Sequence, residues 1–280
     1  MEMAVLSEEQ IILRDQAKSW VTEESPVAKF REMRDSDSEL GFAAETWNAI
    51  CGLGWSGILI PEEYGGSAMD HRTFGIVLEE TGRGLTASPL LASGLVGTSA
   101  LLLAGSEEQK KKFLPEIANG NAIVTLAVDE SSQHSPAQIA LAANAKDGAY
   151  ELSGRKLFVM EGAAADALVV AARTSGNPGS HEGITLFLVD ANADGISRTP
   201  LDTADARGYA DITFDKVSVT SADVMGVLDE GYAPLDGILD RARAGLAAEM
   251  LGTGAEVFDR TLEYLKTRVQ FGQVIGSFQS

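Results

Sequence analysis

The chain has 280 residues, of which 45% are hydrophobic and 22% charged, the balance of a folded globular protein rather than a disordered or fibrous one. Its 41 acidic residues outnumber 22 basic ones, for a net charge of -19. That excess argues against nucleic acid and anionic membrane surfaces as partners. The single cysteine, Cys51, allows no intrachain disulfide and suits a reducing, cytoplasmic setting.

Ser7-Glu-Glu-Gln10 reads as a capping box opening a first helix. Helical periodicity returns at 45–53, with Trp47, Ile50 and Leu53 on one face, and at 72–82, with Phe74, Val77 and Leu78 aligned. The small apolar stretch 89–103 predicts a buried helix. Ser106-Glu-Glu-Gln109 is a second capping box, and its helix is expected to stop near Pro115. From about residue 121 the period changes to two. Segments 122–128, 149–153, 156–159, 167–172, 185–189 and 212–219 read as strands, separated by turn clusters such as Ser175-Gly-Asn-Pro-Gly-Ser180. After Gly231 the helical period resumes through Leu235, Ile238, Leu239, Ala242 and Leu246.

The fold class expected is therefore α+β in three parts. These are an N-terminal helical domain (1–120), a middle antiparallel β-barrel or sandwich (121–228), and the start of a C-terminal helical bundle (229–280). No residues have the spacing of a metal site, so no metal is expected. His71, His134 and His181 read as surface residues. No nucleophile elbow, phosphate-binding loop or dinucleotide fingerprint is present. Redox chemistry would need a bound cofactor.

Several separated segments resemble the acyl-CoA dehydrogenase family in the right order along the whole chain. Leu53-Gly-Trp-Ser-Gly-Ile-Leu-Ile-Pro-Glu-Glu-Tyr-Gly-Gly66 looks like its first glycine-rich loop, and 105–120 like the approach to the sheet. Leu152-Ser-Gly-Arg-Lys-Leu-Phe-Val-Met160 is similar to the strand whose aromatic residue lies against the flavin. Tyr264-Leu-Lys-Thr-Arg268 followed by Phe271-Gly272, Ile275 and Gln279 matches the segment that grips the FAD of a neighbouring subunit. The resemblance implies FAD as cofactor, an acyl-CoA thioester as substrate, an electron-transfer flavoprotein or similar acceptor, and a homo- or hetero-oligomer. It places Val128, Asp129, Ser135, Phe158, Met160, Arg268, Phe271, Ile275 and Gln279 at the cofactor, with Phe271, Ile275 and Gln279 on one helical face. It places Asp240 and Arg243, three apart on a helix, beside the CoA portion.

The pattern also departs from the family. Val128-Asp-Glu-Ser-Ser-Gln-His-Ser-Pro136 stands where the family has Leu-Thr-Glu-Pro-x-x-Gly-Ser-Asp, so Asp129 replaces a threonine that hydrogen-bonds the flavin. A carboxylate there would oppose the charge of reduced flavin. Phe158-Val-Met160 replaces the more usual Trp-Ile-Thr. The family's base is a glutamate lying in its pattern beyond Ser280, or in some members at the position of Ala242, so no base is assignable within 1–280. Two readings follow. One is an FAD-dependent dehydrogenase forming an α,β double bond in an acyl thioester of lipid or steroid side-chain degradation, with little turnover from this polypeptide alone. The other is a non-catalytic subunit that completes the FAD site of an active paralogue. A flavin oxidase or monooxygenase on the same fold stays open.

Overall fold

The structure, a computed structural model, describes residues 6–36, 38–205 and 207–278. Helix α1 (Glu8–Glu24) starts where its capping box demands. The Ser7 hydroxyl accepts the Gln10 N–H, and the Gln10 side chain accepts the Ser7 N–H at 3.1 Å. A short helix α2 (Val27–Arg34) follows and buries none of its residues, so it lacks the apolar stripe that periodicity detects. Helices α3 (Ala44–Gly52) and α4 (His71–Gly84) bury Trp47, Ile50, Phe74, Val77 and Leu78 in one core.

The stretch expected as one buried helix is two kinds of helix. Leu90–Gly97 is a π-helix with all eight residues buried, and it runs directly into α5 (Thr98–Ala104). Helix α6 (Glu107–Ala118) passes through Pro115 rather than stopping there. Its fully buried Leu114 and Ile117 hold the last turn, and the Pro115 carbonyl accepts the Asn119 N–H.

The middle of the chain forms one eight-stranded sheet from β1 (Val124–Ala127), β2 (Ala142–Lys146), β3 (Ala149–Val159), β4 (Ala167–Arg173), β5 (Ile184–Asp190), β6 (Ile196–Pro200), β7 (Ala210–Val219) and β8 (Val224–Met225). Its order is β6-β7-β3-β2-β4-β5-β8, with β1 beside β4. Segments 149–153 and 156–159 are one strand, bulged against β7 between Leu152 and Gly154. Strands β2 and β6 escape the period-two reading because alanine, lysine and partly exposed residues fill them.

The sheet is mixed, not purely antiparallel. Strand β1 pairs β4 in parallel, and β2 meets β4 in parallel at Ala142 and Arg173. Every residue of β4 is buried, as suits a strand covered on both faces. Its Val169 faces the core shared with Leu101, Leu114, Leu235 and Ile238. Its Leu168 and Val170 face the core inside the β layer with Phe187, Ile212 and Phe214.

Helix α7 (Tyr232–Thr267) runs 36 residues and crosses α4. Gly82 and Gly252 sit at the crossing, where a Cβ on Gly82 would strike the Glu249 carbonyl and one on Gly252 the Glu79 carbonyl. After α7 the chain turns back in a hairpin, β9 (Val269–Gln270) with β10 (Gln273–Val274). Phe271 and Gly272 both have positive φ, +53° and +81°, the geometry of a two-residue hairpin turn. The helical face expected for Phe271, Ile275 and Gln279 is thus absent among the described residues. Gln279 itself lies outside them. Replacing Gly252 by Ala should force α4 and α7 apart and cost about 1–3 kcal/mol, read as a lower urea midpoint with an unchanged slope.

Candidate functional site

A cavity of about 150 Å³ lies where the end of β3, the segment after β1, the π-helix and α7 meet. The π-helix contributes Ala92 and Val96, α7 contributes Leu239 and Ala242, and the sheet side contributes Leu126, Val128, Asp129, Phe158 and Met160. Four of the residues expected at the cofactor, Val128, Asp129, Phe158 and Met160, therefore line one space.

What holds them there is a buried lysine. The Lys156 side chain is fully buried in β3, and its ammonium donates to the Val128 carbonyl at 2.9 Å and to Glu130 Oε1 at 2.6 Å. The Glu130 carboxylate also accepts the N–H groups of Ala140 and Leu141 at 2.8 and 3.0 Å. The loop is thereby pinned at both ends. Burial pushes the Lys156 ammonium down to about 8, with the adjacent Glu130 charge opposing the shift.

Asp129 does not present a bare carboxylate to the cavity. Both of its oxygens lie within hydrogen-bond reach of His134 Nδ1, at 2.9 and 3.0 Å. His134, read from the sequence as a surface residue, lines the same cavity with its side chain half exposed. Phe158 sits at the edge with φ +50° and 55% of its surface exposed. Its N–H is held by Asp211 Oδ1 at 3.1 Å, and Asp211 in turn binds Arg155. Met160 is fixed by its carbonyl, which accepts the Thr125 hydroxyl at 2.7 Å.

Behind Met160 lies a charged cluster. Arg207 pairs with Glu249 of α7 and contacts the Met160 sulfur at 4.0 Å. Glu161, 1% exposed, faces the same guanidinium, and one oxygen of each glutamate is buried without a hydrogen-bond partner among the described residues. One guanidinium cannot neutralise two buried carboxylates. Burial raises Glu161 to about 8 despite Arg207, while Glu249 keeps the direct ion pair. Burial raises the Glu249 carboxyl as well, and the Arg207 guanidinium also lies 3.8 Å from Asp205.

The other expected residues lie elsewhere. Ser135 lines an adjoining cavity of about 230 Å³ that shares Val128. Asp240 and Arg243 form an exposed ion pair at 2.7 Å on α7 and do not line the cavity that Leu239 and Ala242 border. Arg268 and Phe271 are exposed on the terminal hairpin, and Ile275 is half-buried there; none lines the cavity. Ala92, Val96 and Leu239 were invisible as site residues because they read as ordinary core. His134 carried a signal, an aspartate five residues before it within one loop.

The lining suits one part of FAD better than another. An exposed aromatic ring held in left-handed backbone beside apolar walls offers a stacking surface for the isoalloxazine. The Asp129 and Met160 side chains supply no hydrogen-bond donor to its polar rim. The residues fit the ring face, with Phe158, Met160 and Val128 as its contacts.

The three parts of the chain match family models described as acyl-CoA dehydrogenase N-terminal domain (residues 7–121), middle domain (126–217) and C-terminal domain (229–280). The chain belongs to the acyl-CoA dehydrogenase family, oxidoreductases acting on CH–CH bonds. A 3-(aryl)acrylate reductase of Clostridium sporogenes is 31% identical over 282 residues, covering 98% of this chain and 73% of that protein. A mitochondrial isovaleryl-CoA dehydrogenase of Pongo abelii is 34% identical over 290 residues, covering 98% of this chain and 66% of that one. Among solved structures, a steroid acyl-CoA dehydrogenase variant, Tcur3481-Tcur3483 G363A, superposes with a TM-score of 0.83 at 30% identity, covering 97% of this chain and 70% of that one. Among the described residues no helix is long and apolar enough to cross a membrane.

Because folding raises Glu161 above its ordinary 4.5, the native state binds a proton more tightly than the unfolded chain. Its contribution is fully present below about 4.5 and is lost as pH rises through about 8. Glu161→Gln should flatten that decline and stabilise the protein above pH 8 by on the order of 2 kcal/mol, measured by urea unfolding across the window.

Proposed function

We propose that the chain is an FAD-dependent acyl-CoA dehydrogenase subunit that introduces an α,β double bond into the acyl-CoA thioester of a lipid or steroid side chain. The observation carrying this is the apolar cavity bounded by Phe158 on one side and by the π-helix and α7 on the other. Ala92, Val96, Leu239 and Ala242 give it walls that hold an acyl group and exclude water. Phe158, Met160 and Val128 would hold the ring of FAD, which when bound supplies the acceptor for a β-hydride. The solved steroid acyl-CoA dehydrogenase variant supports the steroid side chain as one such acyl group.

The cofactor's diphosphate is assigned to Arg268, with Phe271, Ile275 and Gln279, acting across a subunit boundary. An exposed arginine on a hairpin is free to reach a neighbouring copy and to meet phosphate with charge-assisted hydrogen bonds. Ser135, from the adjoining cavity, is assigned to the same cofactor, and Asp240 with Arg243 to the CoA portion. The remaining assignments are an oligomer, an electron-transfer flavoprotein or similar acceptor, a cytoplasmic location, and three domains at 1–120, 121–228 and 229–280.

A second reading, a non-catalytic subunit completing the FAD site of an active paralogue, draws on one observation. Helix α7 leaves Leu246, Met250, Leu251, Val257 and Phe258 between 42% and 64% exposed, a stripe suited to burial against another chain. Flavin absorbance and stoichiometry, with and without a co-purifying protein, separate the two: the catalytic reading expects FAD on the isolated oligomer, the partner reading only on the mixed one. Replacing Arg268 by Ala should weaken FAD retention by about 2 kcal/mol, a roughly thirtyfold rise in dissociation constant. Unchanged affinity would remove Arg268 from the cofactor.

A further inference from the structure

A ring that gains negative charge in a largely apolar cavity needs hydrogen-bond donors on its polar rim. Among the described residues lining this cavity, only two side chains carry a hydrogen to donate, Thr125 and His134. The Thr125 hydroxyl is spent on the Met160 carbonyl at 2.7 Å. His134 is not spent. Its Nδ1 lies 2.9 and 3.0 Å from the two Asp129 oxygens, and a carboxylate can only accept, so Nδ1 carries a hydrogen. Nε2 has no hydrogen-bond partner among the described residues. It becomes a donor when the imidazole takes a proton, and Asp129 is placed to balance the imidazolium that results. The surroundings leave that balance alone. The π-helix and α7 bring only Ala92, Val96, Leu239 and Ala242 to the cavity, none of them titratable. From β3, the Lys156 ammonium feels the Asp129 charge but is bound to Glu130, which also accepts the N–H groups of Ala140 and Leu141. The His134 side chain is 47% exposed, so its proton exchanges with solvent.

We infer that His134, held by Asp129, is the hydrogen-bond donor to the polar rim of the flavin in this subunit, in place of the side-chain donors that Asp129 and Met160 cannot supply. This role rests on the FAD reading of the cavity. FAD when bound accepts a hydride, and the reduced ring then carries a negative charge. His134 meets that charge with its Nε2–H, drawing the proton from solvent, while Asp129 stays ionised beside it. No bond to the ring forms or breaks through the histidine. The carboxylate that looked from the sequence like an obstacle to reduced flavin is thus paired with a cation when the ring is reduced. Protonation and reduction are linked reciprocally. By whatever factor the imidazolium favours reduced over oxidised FAD, reduction raises the proton affinity of His134 by the same factor.

The test uses the FAD-loaded protein, together with its co-purifying subunit where there is one. His134→Leu keeps the bulk of the ring and removes the donor. At about pH 6, where an imidazole is largely protonated, its two-electron equilibrium with a reference dye should shift toward oxidised FAD by at least about tenfold, or about 30 mV. Reduced FAD is then held more weakly while oxidised FAD is retained. A merely structural role would weaken both forms alike and leave the potential in place. In wild type, the imidazole ¹⁵N titration is compared between the oxidised and the dithionite-reduced protein; the chain has 3 histidines, so the signals are few. His134 should titrate about one pH unit higher after reduction, the same tenfold factor. Should His134→Leu lose its FAD, the wild-type titration alone decides. An equilibrium in His134→Leu within twofold of wild type overturns the inference, as does a His134 titration that reduction leaves in place; the FAD reading then stands without the histidine. If neither the isolated nor the mixed oligomer holds FAD, that reading falls and the donor role with it.

Discussion

The buried pair between Lys156 and Glu130 is the constraint on which the cavity depends. A lysine with no solvent access needs partners for its ammonium, and here a carbonyl and a carboxylate accept from it. Because the carbonyl belongs to Val128 and the carboxylate to Glu130, the residue between them, Asp129, has little freedom. Leu157 tightens this further by donating its N–H to the Asp129 carbonyl at 2.7 Å. The same carboxylate captures the two residues that precede β2, Ala140 and Leu141. A single desolvated cation thus joins β1, β3 and β2 and fixes the one polar side of an otherwise apolar space.

Much of the fold was legible because local signals were strong. Two Ser-Glu-Glu-Gln boxes announce α1 and α6, and the apolar run 167–172 announces the strand β4. What stayed hidden has physical causes. Helix α2 buries nothing, so it leaves no stripe. Strand β2 is held by pairing to β3 rather than by apolar alternation. The parallel neighbours of β4 are a property of tertiary placement that no local period encodes. At the terminus, Phe271-Gly272 is a turn dipeptide whose phenylalanine takes a left-handed conformation, and Phe271, Ile275 and Gln279 repeating every fourth position suggested a helix instead. The site divides in the same way. Residues flanking recognisable motifs, Val128, Asp129, Phe158 and Met160, converge on the cavity. Its opposite wall, Ala92, Val96, Leu239 and Ala242, consists of core-type residues whose role depends on which helix face meets empty space.

A second buried charge system ties the β region to α7 away from the cavity. Arg207 comes from the connection between β6 and β7, Glu161 from the end of β3 and Glu249 from α7. Two buried carboxyls and the more exposed Asp205 share this one guanidinium, and burial pushes both buried glutamates up. The side chain of Met160 stands between this cluster and the cavity, so an ionic layer braces a wall whose inner surface is apolar.

The π-helix at Leu90–Gly97 gives this wall a property that its chemistry alone does not reveal. A π-turn holds more residues than an α-turn, so the segment feeds surplus chain into the α5 helix that follows it directly. Substitutions there change what a side chain is. Loss of a single residue would change which side chains look inward at all, by rotating everything beyond it through about 100° about the helix axis. Ala92 and Val96 face the cavity within this surplus, and the phase of α5 is set by it. Here the shape of the acyl space can be altered by length as well as by composition, a coarser and more abrupt kind of variation than exchanging one apolar residue for another.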